Sequence, residues 1–369
     1  MSTGESGSKR LVSLDIAKGI MILMVILIHV LLFNEKLIEA MSIILGNILM
    51  PLFFWASGYT YRPGRGFRAN VRKRIPHLLK VYFIYSFGIL LLGSALFLAL
   101  GFSFMDIRNQ ILTHFLGEPL LNLIAPDLIN TGWLWSMVAP LWFLVQMMFG
   151  SIILYAIADK ALENNSNFIL ISAFLIAVGT CLTAFAPQLP FNLQSTPVIA
   201  FFMLSGAFSG QHKWLQKYEE WSIGRLVASV VLFSVLQLAV AYVYHGGDAL
   251  SKGYFATDEA TRVISIYATL LSFVFGMMAF LGFSILVGKI KGVSAVFSWI
   301  GRNTLPFYII HMPVALLLAF FTASMPGQRS SDELLIIYIG LYFITVLICA
   351  LWGAVENKIR VMLAEKKRP

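Results

Sequence analysis

Ten stretches of mostly apolar residues follow one another along the chain, at about 12–33, 40–61, 80–101, 138–158, 168–186, 197–211, 226–244, 264–287, 304–324 and 334–355. About 20 apolar residues in a helix cross the roughly 30 Å hydrocarbon core of a bilayer, and within one segment only a helix satisfies its own backbone hydrogen bonds there. The pattern therefore predicts an all-α, polytopic transmembrane helical bundle of about ten spans. Its shortest run is the sixth, "PVIAFFMLSGAFSG". Composition excludes the soluble alternative, because the chain is 59% hydrophobic and only 12% charged, whereas a soluble domain is about 25% charged. No linker-like Pro, Gly or Ser cluster interrupts it. Residues 1–369 thus read as a single membrane domain with short tails at about 1–10 and 356–369.

Charge sets the expected orientation. Of the 27 Lys and Arg residues, 21 fall in segments that alternation assigns to one side, five in the opposite loops, and Lys18 lies inside a span. Positive residues collect in cytoplasmic loops, so both termini are expected in the cytoplasm, in a multi-pass protein of the cell (inner) membrane. The same bias explains the net charge of +9 without a nucleic-acid partner. Cys181 and Cys349 lie in apolar runs and suggest neither a disulfide framework nor a zinc site. The first span lacks a small-x-small cleavage site after its long apolar run, so it is expected to be retained rather than removed as a signal peptide. The longest outer loop, 102–137, is expected to form a cap with short helices.

Within the first span, "DIAKGIMILMVILIH" carries Asp15, Lys18 and His29. At 100° per residue the three share one helix face, with Lys18 and His29 about 16 Å apart along the axis. Asp15 and Lys18, three residues apart, can pair. Ionisable residues inside a span cost roughly 2.5–3.5 kcal/mol each at the centre and usually face a cavity or each other. Asp15 and Lys18 are also close enough to the interface to snorkel. His29 is not, and an imidazole exchanges a proton near neutral pH.

Other segments carry candidates of their own. "RPGRGFRANVRKRIPHLLK" (62–80) reads as a basic loop. Such a loop can simply hold the cytoplasmic side, or bind phosphates of a lipid or nucleotide. "MPLFFWASGYTY" (50–61) ends in Ser57-Gly58-Tyr59, small residues that allow close helix approach, and is echoed by "FFMLSG" (201–206). "WIGRNTLPFYIIHMPV" (299–314) sets Arg302 and Asn303 at a helix start and His311 inside the span, where a hydrogen-bonded packing role is equally open. The remaining histidines make no metal-type spacing, and none of the phosphate-loop, dinucleotide or nucleophile-elbow motifs occurs.

Taken in order, these motifs resemble the acyltransferase-3 family of integral membrane acyltransferases, in particular the fucose 4-O-acetylase-like bacterial glycan O-acetyltransferases. The resemblance rests on Asp15, Lys18, Gly19 and His29; on Pro51 to Tyr59; on Arg72, Lys73 and Arg74 before Pro76; on Leu141 to Leu144; and on Gly301 to His311, where Thr304 replaces the usual serine. Two departures stand out: Lys18 for the commoner arginine, which loses the bidentate fork, and Leu49 where many relatives have histidine.

The resemblance implies transfer of an acetyl group from cytoplasmic acetyl-CoA, a co-substrate and not a permanently bound cofactor, to a sugar hydroxyl. The acceptor would be a polysaccharide or lipid-linked oligosaccharide of the cell envelope or an exopolysaccharide. It further implies that Arg72, Lys73 and Arg74, with Ser57 and Tyr59, hold the CoA phosphates. The pantetheine arm would pass Lys18 to His29, which acts as base or forms an acyl-histidine, with Asp15 paired to Lys18. Trp142 would line the sugar-binding cavity, His311 would support the acyl site, and Asn303 and Arg302 would be substrate-binding or supporting residues. Without the resemblance, ten spans with intramembrane charges and proline-broken helices also fit a transporter or flippase.

Overall fold

The computed structural model describes residues 11–31, 41, 45, 47–186, 189–243, 259–323 and 331–365. Fifteen α-helices in this region are used below. The first seven are α1 (Val12–Val30), α2 (Asn47–Tyr59), α3 (Phe67–Ala99), α4 (Phe104–Leu116), α5 (Glu118–Ile124), α6 (Trp133–Val138) and α7 (Trp142–Ala161). Then come α8 (Asn165–Phe185), α9 (Thr196–Gln211), α10 (Trp214–Glu219), α11 (Ile223–Val243), α12 (Glu259–Gly288), α13 (Val293–Arg302), α14 (Thr304–Ala323) and α15 (Ser331–Glu365). Among the described residues nine helical stretches are long and apolar enough to cross a membrane, and α2 is a shorter apolar helix. The expected all-α multi-pass architecture is what the chain adopts. Much of the predicted second span ahead of α2, and the 1–10 tail, lie outside the described residues.

Two boundaries differ from the sequence reading. The basic segment 62–80 is a loop only as far as Gly66, at φ 73°, after which α3 begins at Phe67. Arg, Lys and Ala are good helix formers, so Arg62 and Arg65 stay in the loop while Arg68, Arg72, Lys73, Arg74 and Lys80 ride on a continuous 33-residue helix. Likewise α15 continues to Glu365, through much of the segment read as a C-terminal tail. The expected short helices are present as α4, α5 and α6, but α4 turns back along α3, where His114 and Phe115 meet Tyr82, Ser86 and Phe87. Ser103 starts α4 by accepting a hydrogen bond from the Asp106 amide at 3.1 Å.

Two glycine crossings hold the interior together. In the first, α2 lies against α9: a Cβ on Gly58 would sit 1.8 Å from the Met203 carbonyl oxygen, and one on Gly206 2.0 Å from that of Trp55. The echoed "FFWASG" and "FFMLSG" segments are thus the two halves of one backbone-to-backbone contact. In the second, α1 lies against α13: a Cβ on Gly19 would be 2.1 Å from the Phe297 oxygen, and one on Gly301 1.6 Å from the Asp15 oxygen. Between helices in lipid, packing and polar contacts replace the hydrophobic drive, so close backbone contact is where such a bundle gains its specificity. Large apolar residues on the outer faces, such as Phe87, Leu91 and Leu92 of α3, are exposed to the lipid.

Candidate active site

The second crossing explains the first motif. Gly301 touches the backbone of Asp15, and the Asp15 carboxylate holds Lys18 Nζ at 2.9 Å, with the lysine side chain 24% exposed and the aspartate 7%. Breaking such a buried pair would leave one charge uncompensated. The neighbouring Arg302 is exposed and donates to the Ser298 carbonyl at 3.2 Å. Asn303 is buried; its amide donates to the Trp299 carbonyl at 2.8 Å and its oxygen accepts from Asn357 of α15 at 2.6 Å. Asn303 therefore ties α13, α14 and α15 together.

Further along α1 and α14, His29 and His311 meet. Their ring centroids are 4.9 Å apart and the rings are inclined at 70°. His29 Nδ1 is 2.8 Å from the Val25 carbonyl oxygen, and His311 Nδ1 is 2.6 Å from that of Tyr308. A carbonyl only accepts, so in each ring Nδ1 carries the hydrogen and, in the neutral form, Nε2 bears the lone pair. His311 is fully buried and its Nε2 has no hydrogen-bond partner among the described residues. An orphaned buried nitrogen costs about 1–3 kcal/mol, and such costs persist where a group is kept for chemistry.

A third grouping is a cavity of about 670 Å³ between the C-terminal end of α2, the start of α3 and the second half of α7. Arg62, Arg65, Lys73 and Arg74 line it, together with Ser57 and Tyr61. Arg74 Nη2 donates to Ser57 Oγ at 2.6 Å, so the end of the "MPLFFWASGY" segment positions an arginine. Sequence reasoning placed Lys73, Arg74 and Ser57 in one site, and all three line this cavity. Arg72 and Tyr59 do not: Arg72 points outward on α3, exposed. Tyr59 is buried and its hydroxyl donates to Gln216 at 2.7 Å while accepting from the Leu215 amide at 3.3 Å, pinning α10. Helical phase separates them, because Arg72 lies about 160° around the helix from Arg74. Arg65, His77 and Tyr155, which also line the cavity, were not singled out from the sequence. Arg65 was present in the basic segment, but nothing local marked Tyr155, which α7 brings from a distant span.

No residue of α1 lines the cavity, so a path along α1 past Lys18 does not start from it. A chain of packed rings runs instead from α2 to His311. One turn from Ser57, Phe54 packs on Phe143 with centroids 4.8 Å apart; Phe143 packs on Tyr308 at 5.2 Å and Tyr308 on His311 at 5.8 Å. The Tyr308 hydroxyl donates to the Pro140 carbonyl. In this way the "PLFF", "LWFL" and "YIIH" segments meet in one aromatic seam. Trp142, partly buried, stands at the start of α7 beside Phe143 at 6.3 Å.

The class so defined is a multi-pass helical membrane protein with a polar, histidine-bearing interior. A family model described as an acyltransferase domain matches residues 11–355, so the chain belongs to the acyltransferase-3 family and is a membrane acyltransferase. No curated protein and no solved structure matches it.

Proposed function

We propose that the protein is an O-acetyltransferase that moves the acetyl group of cytoplasmic acetyl-CoA onto a sugar hydroxyl of a cell-envelope glycan or exopolysaccharide, in the inner membrane with both termini inside. The observation that carries the reading is the His29–His311 contact, two imidazoles whose Nδ1 atoms are occupied, with His311 Nε2 unpartnered among the described residues. His29, only partly buried, is the one open to substrate. Its Nε2 takes the proton of the acceptor hydroxyl, whose oxygen forms the new bond to the thioester carbonyl. The carbon–sulfur bond then breaks, and the leaving thiolate recovers the proton from the imidazolium as free CoA. A positioned base of this kind contributes about 10²–10⁴-fold. His311 supports the charge on His29, and Lys18, held by Asp15, supplies the fixed positive charge lower on α1.

Phosphate groups of CoA fit the basic cavity by charge, Arg74 and Lys73 being the first candidates. The family match favours this transferase over the carrier alternative. Inverted membrane vesicles given acetyl-CoA labelled in its acetyl group test the reading. Label should pass to lipid-linked or polymeric glycan in wild type and not in His29→Ala; full transfer by the alanine variant would overturn it.

A further inference from the structure

The basic cavity has two unlike walls. One carries the cations of residues 62–74, and the other is α7, which contributes Ser151, Leu154 and Tyr155 and no charged group. Tyr61 stands where the two meet. Its ring is stacked on Tyr155, centroids 5.9 Å apart and planes inclined at 25°. Its hydroxyl donates to Asp159 Oδ1 at 3.1 Å. The Tyr61 ring is therefore flanked by a buried tyrosine in an offset stack and tethered at one edge, while the residue itself lines the cavity. A phenol held in this way loses little freedom when a flat ring settles on it, which is what makes an aromatic platform effective. The exposed Asp159 carboxylate at its edge disfavours phosphate there and directs anions to the α3 wall.

We infer that Tyr61, backed by Tyr155, is the platform on which the adenine ring of the donor stacks while its phosphates lie against Lys73 and Arg74. This rests on the reading of the donor as a CoA thioester and adds to it the residue that selects a nucleotide-bearing donor over a bare thioester. The cavity volume falls within the roughly 300–1,000 Å³ of small-molecule sites. A base on an aromatic ring contributes about 1–3 kcal/mol by alanine substitution, which corresponds to about 5- to 150-fold in affinity.

The test measures binding of CoA and of pantetheine to the purified full-length protein, alongside the KM for acetyl-CoA and for acetyl-pantetheine. The variants are Tyr61→Leu and Tyr61→Phe. Tyr61→Leu should weaken CoA binding and raise the acetyl-CoA KM about tenfold with kcat held, while leaving both pantetheine compounds unaffected. Tyr61→Phe keeps the ring and should stay within about twofold of wild type, which also controls for folding. Equal CoA binding by wild type and Tyr61→Leu would overturn the platform and leave the donor reading standing, as would equal weakening toward CoA and pantetheine. Absence of CoA binding in wild type would overturn both.

Discussion

At one end of the bundle, Arg62, Arg65, Lys73 and Arg74 line a cavity of about 670 Å³, and three of the four are exposed to solvent. Inside the bundle, the rings of His29 and His311 lie 4.9 Å apart, with one ring nitrogen wholly buried and unpartnered among the described residues. Charges in the cavity keep much of their hydration, so under the proposed function each is expected to contribute a graded, replaceable share of donor binding. The histidine contact gives up hydrogen bonds that it could have made, and a substitution there is expected to act on the chemistry as a whole. On the proposed reading, binding and reaction are separated in space and in energetic character, with an aromatic seam between them.

The sharpest contrast should come from His29→Ala, which is expected to lower transfer about a thousandfold with CoA binding unchanged in a direct titration. Next in size is the packing beneath Lys18. Gly301→Val drives a side chain into the Asp15 carbonyl and should cost at least about 3 kcal/mol. The cost would be read as a lower thermal midpoint in detergent and a loss of transfer that no donor concentration restores.

A second buried imidazole supplies the control for the pair. His114, in α4, has hydroxyl neighbours that His311 lacks: its Nε2 is 3.2 Å from Ser86 Oγ and 3.3 Å from the Tyr82 hydroxyl. His114→Phe leaves the Ser86 and Tyr82 hydroxyls without this partner and should lower the thermal midpoint in detergent while leaving transfer at neutral pH largely intact. Smallest is the graded effect in the cavity. Arg74→Ala should raise the acetyl-CoA KM about tenfold, as loss of a charge-assisted hydrogen bond does. Arg72→Ala, outside the lining, should change it less than twofold.

How far the sequence speaks follows the same division. Hydropathy runs mark helices because lipid forces the backbone to satisfy itself, and the fold class was plain from them. Gly19, Gly58, Gly206 and Gly301 were visible as small residues, but which pairs meet is set by tertiary packing and became clear only in the structure. The resemblance put Lys73, Arg74 and Ser57 in one site, and they share a cavity; it put Arg72 and Tyr59 there too, and their helical phase and hydrogen bonds take them elsewhere. Its route past Lys18 is not where the cavity opens. No local pattern pointed to Tyr155 or to the Phe143–Tyr308 contact, because each joins spans far apart in the chain. His29 and His311 stood out singly, for a polar ring in an apolar run is costly, but their contact is a property of the crossing of α1 and α14.

The most direct measurement is the transfer rate of His29→Ala, His311→Ala and the double variant in the same vesicles, with labelled acetyl-CoA. Groups that act as a unit are strongly non-additive. The account predicts that His311→Ala loses most of the activity and that the double variant is no slower than His29→Ala alone. Full activity in His311→Ala, or losses that multiply in the double variant, would contradict it.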